Sequence, residues 1–480
     1  MGGKRPFHNN LMSLHNEVTG SCLLNNFNFP NGSSTNVLVD CGIFQEEQYL
    51  GLNNSFTFKP ENINAVVITH AHVDHIGRLP LLVRKGFRGK IYTSPETFSI
   101  MRVALLDSSK LLRSRAKMLN EPFLYDDDDV EQTLSLVEVV PFEQSVMIDE
   151  NIKLTFFMNG HLPGASMPLL QAKYHVRGDR HYEDINMLFT GDYASSNMFF
   201  DVSPLPKWVR QLPISIIQEA TYGYMDSSEI NYVFENNILE AVKLGKEILA
   251  PVLSLGRSQE ILMLLKKLQN EGKLDKNVPI YYDGKLGMNY NKLYSSGALR
   301  LIREDRRNLF PQNFANVRGA EFRDKLIADR SCKIILTTSG MGSHGPAQVY
   351  LPAFLRKKNA LIHFTSYLAE GTLGRKIMDV KHDDVVDIAG RSVKILADVK
   401  NTSEFSKHAK RDELISFLND FENVKAVYIN HAELSSKEIY ASHVLRKTNV
   451  KDVCLLGRDY LFRMDGYGLV KSFSTKFRYE

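Results

Sequence analysis

The sequence predicts an α/β protein in which one domain is inserted into another, and three observations lead to this prediction. In the N-terminal part, short apolar runs such as Ala65–Ile68 have the β-branched composition of buried strands and end in polar residues. Between residues 214 and 364, strand-type and helix-type segments alternate, which indicates a doubly wound parallel sheet. After about residue 380 short strand-type runs return, so we expect the C-terminal segment to rejoin the first domain.

Length and composition are those of an ordinary globular protein. The 480 residues suffice for more than one hydrophobic core, and 43% of them are apolar and 24% charged. The net charge of +4 is compatible with a local basic groove but does not require one. We expect no signal peptide and no membrane span, because the chain shows no apolar run of the necessary kind.

The cysteines favour a cytoplasmic location. None of the four has the CxxC spacing of metal or redox motifs, so we expect reduced, structural thiols. They are Cys22, Cys41, Cys332 and Cys454.

The most informative stretch is 69–75, which follows the strand-type run 65–68 and contains three histidines and an aspartate. In an extended chain His70 and His72 face the same way, whereas Asp74 and His75 turn off that line. One metal near the first pair and a second near the last pair is the natural interpretation. A polar loop with coincidental histidines is the alternative, which is disfavoured because buried imidazoles seldom cluster without a ligand.

Three other strand ends carry ligand-type residues. Asp40 ends the run 36–40, where it could orient a ligand histidine or, taken alone, cap a turn. His161 and Asp192 each follow a strand-type run and stand beside a glycine, which lets the backbone approach closely. Taken alone, His161 would more often be a satisfied histidine than a metal ligand.

The stretch His70-Ala71-His72-Val73-Asp74-His75 resembles the signature of the metallo-β-lactamase superfamily of metal-dependent hydrolases. Asp40, His161 and Asp192 match the other motifs of that superfamily in order. The resemblance implies an αββα sandwich, here with an inserted doubly wound parallel α/β domain.

Three later segments extend the resemblance to the β-CASP nucleases of this superfamily. Residues 218–223 contain Glu219 before Thr-Tyr-Gly, residues 405–409 contain His408 after Phe-Ser-Lys, and residues 429–433 contain His431. The resemblance implies that a β-CASP domain is inserted into the first domain. The proline-rich stretch around Trp208 predicts a domain crossing, and short strands return after about residue 380. We therefore expect a first domain part over 1–208, the inserted domain over 209–385 and a C-terminal return over 386–480.

The resemblance also implies the roles of the side chains. Seven residues are expected to bind two Zn²⁺ ions per chain, with Mn²⁺ left open by ligand type. One ion is expected to bind His70, His72 and His161, and the other Asp74, His75 and His431. Asp192 is expected to bridge the two ions. The expected catalytic residues are Asp40, Asp74, Glu219 and His408, with His408 held by Glu219 as proton donor to the leaving oxygen.

The implied reaction is endonucleolytic hydrolysis of single-stranded RNA. A hydroxide activated by two metals attacks phosphorus, leaving 5′-phosphate and 3′-hydroxyl ends. Five residues of the inserted domain are expected to contact phosphates, although ordinary turn and helix roles are an equal alternative for them. They are Ser339, Gly340, Gly371, Thr372 and Arg375.

Other functions remain open at this point. A 5′-3′ exoribonuclease resembling RNase J, a DNA-repair nuclease, a catalytically silent RNA-binding scaffold and a small-ester hydrolase are the alternatives. The retained ligand set disfavours the scaffold, and the β-CASP motifs disfavour the ester hydrolase. Neither membrane binding nor a particular oligomer is implied, and a homodimer is left open.

Overall fold

A computed structural model describes residues 7–15, 17–120, 122–174, 183–368, 371–388 and 390–474. The chain divides into two compact units, with boundaries after Ser228 and after Ser406. The first unit thus contains segments from both ends of the sequence, and the second unit is continuous. Within the described residues, no helix is both long enough and apolar enough to cross a membrane.

The first unit contains two mixed β-sheets. In spatial order, the strands of the first sheet are Gly468–Ser474, Tyr460–Asp465, His8–Ser13, Leu23–Asn28, Ser34–Val39, Ala65–Val67, Lys90–Thr93 and Val137–Val139. Those of the second sheet are Val453–Leu455, Val424–Asn430, Ile214–Glu219, Ile185–Phe189, Ser166–Ala172, Ile152–Met158 and Ser145–Met147. The four strands from Ser34–Val39 to Val137–Val139 are parallel, as are the first four of the second sheet.

The two sheets pack face to face, with helices on their outer faces. Val37 and Val67 of the first sheet share one core with Phe156 and Ile217 of the second. The outer face of the second sheet packs on two C-terminal helices through a separate core. The α-helices of this unit are Val73–Ile76, Leu79–Arg84, Pro95–Leu119, Asp127–Ser135, Lys207–Arg210, Arg411–Asn419 and Leu434–Lys447, and its 3-10 turns are Glu47–Asn54 and Pro60–Asn62. This arrangement is the αββα sandwich that the sequence predicted.

The second unit is a doubly wound parallel sheet. In spatial order, its six strands are Phe314–Asn316, Ile280–Asp283, Lys333–Thr337, Glu247–Pro251, Ala360–Phe364 and Asp398–Asn401, and a hairpin pairs Val385–Ile388 with Arg391–Lys394. Separate cores cover its two faces. The helices are Phe234–Lys243, Arg257–Asn270, Lys285–Ser295, Ala320–Ala328, Ala347–Leu355 and Leu373–Met378, with 3-10 turns Ser227–Glu229 at the boundary and Glu304–Arg306.

The structure differs from the expected domain boundaries of 208/209 and 385/386. Strand Ile214–Glu219 pairs with Ile185–Phe189 and therefore belongs to the first unit. Strand Asp398–Asn401 pairs with Ala360–Phe364 and belongs to the second. The proline-rich stretch before residue 214 is not a crossing, because Val209 lies in the core of the first unit.

Candidate metal centre

The seven predicted ligands lie together at one edge of the first unit, where several parallel strands end. Each is delivered by a loop that follows a strand, because the carboxyl ends of parallel strands meet at one edge. Residues 70–75 follow strand Ala65–Val67, Asp192 follows Ile185–Phe189, and His431 follows Val424–Asn430. His161 reaches the same edge after strand Ile152–Met158.

His70, His72 and His161 form the first group. The distance from His72 Nδ1 to His70 Nε2 is 3.1 Å, and that to His161 Nε2 is 3.2 Å. Two nitrogens that each bind a tetrahedral zinc at about 2.0–2.1 Å lie roughly 3.4 Å apart. The three imidazoles therefore have nearly the spacing of a metal-binding set.

Asp74, His75 and His431 form the second group. Here His75 Nε2 lies 3.1 Å from His431 Nε2. The Asp74 carboxylate lies 3.8 Å from His75 Nε2 and 3.7 Å from His431 Nε2. One nitrogen or oxygen from each residue thus faces a common point.

Asp192 lies between the two groups and directs one oxygen to each. Its Oδ2 is 3.5 Å from His70 Nε2 and 3.7 Å from His161 Nε2. Its Oδ1 is 3.3 Å from His75 Nε2 and 3.3 Å from His431 Nδ1. Asp192 thus has close contacts with histidines of both groups, and a bridging role for it stays a prediction.

The donor set is of a kind that binds metal ions. The ligand atoms of each group lie within 4.8 Å of one another, and they combine imidazole nitrogens with carboxylate oxygens. Asp192 Oδ1 is buried and makes no hydrogen bond within the described residues, which is costly unless a cation binds there. Which of these side chains bind metal stays a prediction.

Asp40 orients His75. The Asp40 Oδ2 atom accepts a hydrogen bond from His75 Nδ1 at 2.7 Å, which turns Nε2 toward His431. Thr69 donates to the same carboxylate through its backbone N–H at 2.9 Å and through its hydroxyl at 2.9 Å. Such partners fix the tautomer and the ring orientation of a metal-binding histidine.

His161 is oriented by the backbone of the C-terminal segment. Its Nδ1 lies 2.7 Å from the carbonyl oxygen of Lys407. Because a carbonyl can only accept, Nδ1 carries the hydrogen and Nε2 keeps its lone pair for a metal. The side chain of Asn159, two residues before His161, donates to the carbonyl oxygens of Thr190 and Asp192 at 2.8 and 2.6 Å. These bonds join the His161 loop to the loop that contains Asp192.

Glu219 and His408 form a pair beside the cluster. His408 Nδ1 donates to the Glu219 carboxylate at 2.8 Å, and Tyr193 N–H donates to the same carboxylate. His408 Nε2 faces the cluster, 3.9 Å from Asp192 Oδ2. Glu219 could also be counted with His408 and His431 as a third ligand group, but its carboxylate is already occupied by these hydrogen bonds.

Burial and neighbouring charges set the pKa values in the cluster. Burial lowers the pKa of His70 and His161 well below the usual range, and that of His72 to about 4. These imidazoles are therefore neutral, the form that binds metal. Burial opposes ionisation of Asp74, yet the hydrogen bond to His431 and nearby imidazoles lower its pKa to about 2.

Three residues that hold the predicted ligands and their loops in place were not identified from the sequence. Thr69 holds Asp40, Asn159 holds the His161 loop, and the Thr221 hydroxyl lies 3.2 Å from His431 Nδ1 and 2.9 Å from the His431 carbonyl oxygen. Each stands next to a motif residue, and this proximity was the available signal. Their polarity alone does not distinguish them from ordinary loop residues.

The five expected phosphate contacts lie in the second unit and have other partners there. Thr372 caps the helix Leu373–Met378 by accepting from Arg375 N–H, and Arg375 pairs with Asp379 at 3.0 Å. The Ser339 hydroxyl accepts a hydrogen bond from the backbone N–H of His344. The turn after Ser339 and the helix start are adjacent, since Gly374 N–H donates to Met341 at 2.9 Å. Gly340 and Gly371 belong to these two segments, and phosphate binding by all five stays a prediction.

Comparison with known proteins gives three family matches along the chain. The metallo-beta-lactamase superfamily matches residues 29–149, and the Beta-Casp domain matches 258–377. The Zn-dependent metallo-hydrolase RNA specificity domain matches 392–454. Sandwich, strand-end cluster and these matches together define a metallo-β-lactamase-type hydrolase.

Proteins of similar sequence indicate which family of this superfamily the chain belongs to. A transcription termination factor FttA from Lokiarchaeum sp. is 30% identical over 91% of this chain and 68% of its own length. FttA from Cenarchaeum symbiosum is 28% identical over 85% of this chain and 64% of its own length. Ribonuclease TTHA0252 from Thermus thermophilus is 29% identical over 86% of this chain and 90% of its own length. The chain belongs to the β-CASP family, and it spans about two thirds of the length of these termination factors.

Proposed function

We propose that the chain is a zinc-dependent endoribonuclease that cleaves single-stranded RNA in the cytoplasm. The observation that carries this proposal is the position of Asp192 between two three-residue groups, with the Glu219–His408 pair beside it. The match to an RNA specificity domain and the likeness to a ribonuclease support RNA as substrate. The names of the termination factor relatives also favour RNA over a small ester.

The first requirement of the reaction is to hold the phosphodiester and activate water. Two bound metal ions would polarise the phosphate oxygens and lower the pKa of a water from about 16 toward about 7. Asp192 and the six other predicted ligands would hold these ions, while Asp40 and the Lys407 carbonyl fix the histidine rings. Burial of the cluster keeps these donors in place before substrate arrives.

The second requirement is a proton for the leaving group. Hydrolysis forms a bond from water oxygen to phosphorus and breaks the bond from phosphorus to the 3′ oxygen, which must gain a proton. His408 Nε2 is the atom suited to give it, because Nδ1 is engaged with Glu219. Burial would lower the pKa of His408, but the charges of Glu219 and Asp192 outweigh burial and raise it. The raised pKa favours the protonated form of His408, which a general acid needs.

Asp74→Ala tests the proposal. With RNA oligomers labelled at either end and zinc present, the wild-type chain should give internal cuts with 5′-phosphate and 3′-hydroxyl ends. Loss of Asp74 should lower the rate by about a thousandfold or more, because it opens one metal group. Asp128→Ala, an exposed aspartate at a helix start, is the matched control and should cleave like wild type.

Two outcomes would contradict the proposal in different ways. RNA left intact by wild type, or equal cleavage by wild type and Asp74→Ala, would exclude metal-dependent hydrolysis at this cluster. Release of mononucleotides from the first time point would instead support the 5′-3′ exoribonuclease.

A further inference from the structure

Lys410 is a buried lysine two residues after His408. It is only 1% exposed and stands directly before the helix Arg411–Asn419. Both conditions disfavour a lysine there, because burial removes water from the ammonium and the first turn of a helix repels positive charge. The residues preferred at this position accept a hydrogen bond from the helix, which an ammonium cannot do. We therefore expect this side chain to have a role other than helix capping.

The Lys410 side chain turns back toward His408. Its Nζ donates to the backbone carbonyl oxygen of His408 at 3.0 Å. The same ammonium lies 3.9 Å from the ring centre of Tyr222, which is itself only 3% exposed. A cation is attracted to the face of an aromatic ring, and the attraction is strongest where water is excluded. Lys410 thus connects the backbone of His408 to a buried ring.

Two pairs of contacts join the segment at the end of strand Ile214–Glu219 to the segment that contains His408. In the first pair, the Glu219 carboxylate accepts from the His408 ring. In the second pair, Tyr222 contacts Lys410 through the ammonium and also through a parallel backbone bridge. The residues that hold His408 therefore come from one short stretch of chain, 219–222.

The ring and the backbone of His408 are held by different residues, and both contacts determine where Nε2 lies. A ring held only at Nδ1 can still pivot about that contact when the backbone shifts, and the Lys410 contact restricts this backbone. Nε2 then stays on the side of the metal cluster, 3.9 Å from Asp192 Oδ2. Displacing a reacting group by about 1 Å can cost about a hundredfold in rate, so this restraint bears on catalysis.

We propose that Lys410 is a positioning residue that keeps His408 Nε2 directed at the leaving 3′ oxygen. The inference rests on the proposed function, in which His408 gives that oxygen its proton. The proton passes from Nε2 to the oxygen as the bond from phosphorus to this oxygen breaks. Lys410 neither contacts the RNA nor exchanges a proton in this step.

Lys410→Met removes the ammonium and keeps most of the side-chain volume. With single-stranded RNA and zinc, we expect kcat to fall by about tenfold and KM to change by less than about twofold, because Lys410 does not contact the substrate. Lys437→Met is the matched control, since Lys437 is also buried in this unit and donates to the Leu456 carbonyl oxygen at 2.7 Å. It should leave kcat within about twofold of wild type.

A substrate that needs no acid distinguishes positioning of His408 from general damage to the centre. The probe is an RNA oligomer in which sulfur replaces the 3′ oxygen of the linkage that the wild type cuts. A thiolate leaves without a proton, so Lys410→Met should cut this oligomer as fast as wild type. Equal losses on the oxygen and sulfur oligomers would overturn the inference, and so would an unchanged kcat on the oxygen oligomer.

Tyr222→Leu keeps the inference testable if Lys410→Met does not fold. It removes the ring beside the ammonium and should lower kcat by about fivefold on the oxygen oligomer alone. The double variant should be no more than about twofold slower than Lys410→Met, because both changes act on one contact. Losses that multiply would show that the two residues act separately, which contradicts the inference.

The proposed function and the role of Lys410 fail in different ways. A wild-type chain that leaves RNA intact contradicts the proposed function, and the inference falls with it. A wild-type chain that cuts RNA, with Lys410→Met at the same kcat, contradicts the role of Lys410 alone.

Discussion

Buried charges are balanced differently in the two units. In the second unit, Glu247 accepts from the ammonium groups of Lys333 and Lys357, and Lys333 also donates to the Asp329 carbonyl oxygen at 2.7 Å. All three charged side chains of this group are buried, yet the group is complete without any added ion. In the first unit, imidazole nitrogens face one another and Asp192 Oδ1 has no hydrogen-bond partner among the described residues. The buried charges of the second unit are thus paired with one another, whereas the cluster of the first unit has a buried carboxylate oxygen without such a partner among the described residues.

Metal removal should give the largest difference between the units. At free zinc a thousandfold above the dissociation constant, each ion adds about 4 kcal/mol to the free energy of unfolding. EDTA should therefore lower hydrogen-exchange protection of the first unit and leave strand Lys333–Thr337 of the second unchanged. Equal loss of protection in both units would refute the comparison.

Glu247→Gln should be the most damaging single change within the second unit. Among the described residues it leaves Lys357 without a carboxylate and Lys333 with only Asp329, at 3.5 Å. Breaking a buried ion pair costs roughly 3–5 kcal/mol. Denaturant unfolding monitored by exchange in this unit measures the loss. Glu271→Gln removes an exposed carboxylate with two surface lysine contacts and should leave stability nearly unchanged.

His363 should make the second unit sensitive to acid. It is fully buried, its Nδ1 contacts the Phe364 carbonyl oxygen at 2.9 Å, and burial lowers its pKa from 6.5 to about 4. Between these two values the unfolded chain binds more protons, so stability falls as the pH drops from about 6.5 to about 4, by roughly 3 kcal/mol. His363→Gln should flatten this dependence, whereas His382→Gln, an exposed histidine, should not.

Of these changes, Glu219→Gln should have the smallest effect, here on the activation free energy of cleavage. A neutral amide holds His408 less firmly and lowers the pKa of its imidazole, so cleavage should slow by about 10- to 100-fold. The pH dependence of cleavage is the second measurement, and its alkaline limb should move to lower pH. Glu422→Gln, an exposed carboxylate of the same unit, is the control. An unchanged profile would show that Glu219 has only a structural role.

Much of the cluster was predictable because ligand types follow strands directly in the sequence. The run 70–75 stood out by local patterning alone, whereas His161 and Asp192 gained their expected roles from matching the later motifs of the family in order. His431 and His408 needed the family resemblance, since a lone histidine after a strand or in a loop carries little signal. The division of Asp192 oxygens between two groups depends on three-dimensional packing and could not be predicted.

The unit boundaries and the contacts of Thr372 show which features the sequence could not predict. Strand Ile214–Glu219 has the composition of a buried parallel strand, and both units contain such strands, so its partner could not be assigned. Thr372 has the residue type of a phosphate contact and of a helix cap, and the structure shows the cap.

The strand order of the second sheet bears on synthesis of the protein. Strand Val424–Asn430 lies beside Ile214–Glu219, yet the ribosome makes it only after the whole intervening unit. A nascent chain arrested before this point carries His70, His72 and His161 but has no His431 and no Lys407 carbonyl to orient the ring. Products that end before residue 407 therefore lack both His431 and the Lys407 carbonyl oxygen that contacts His161.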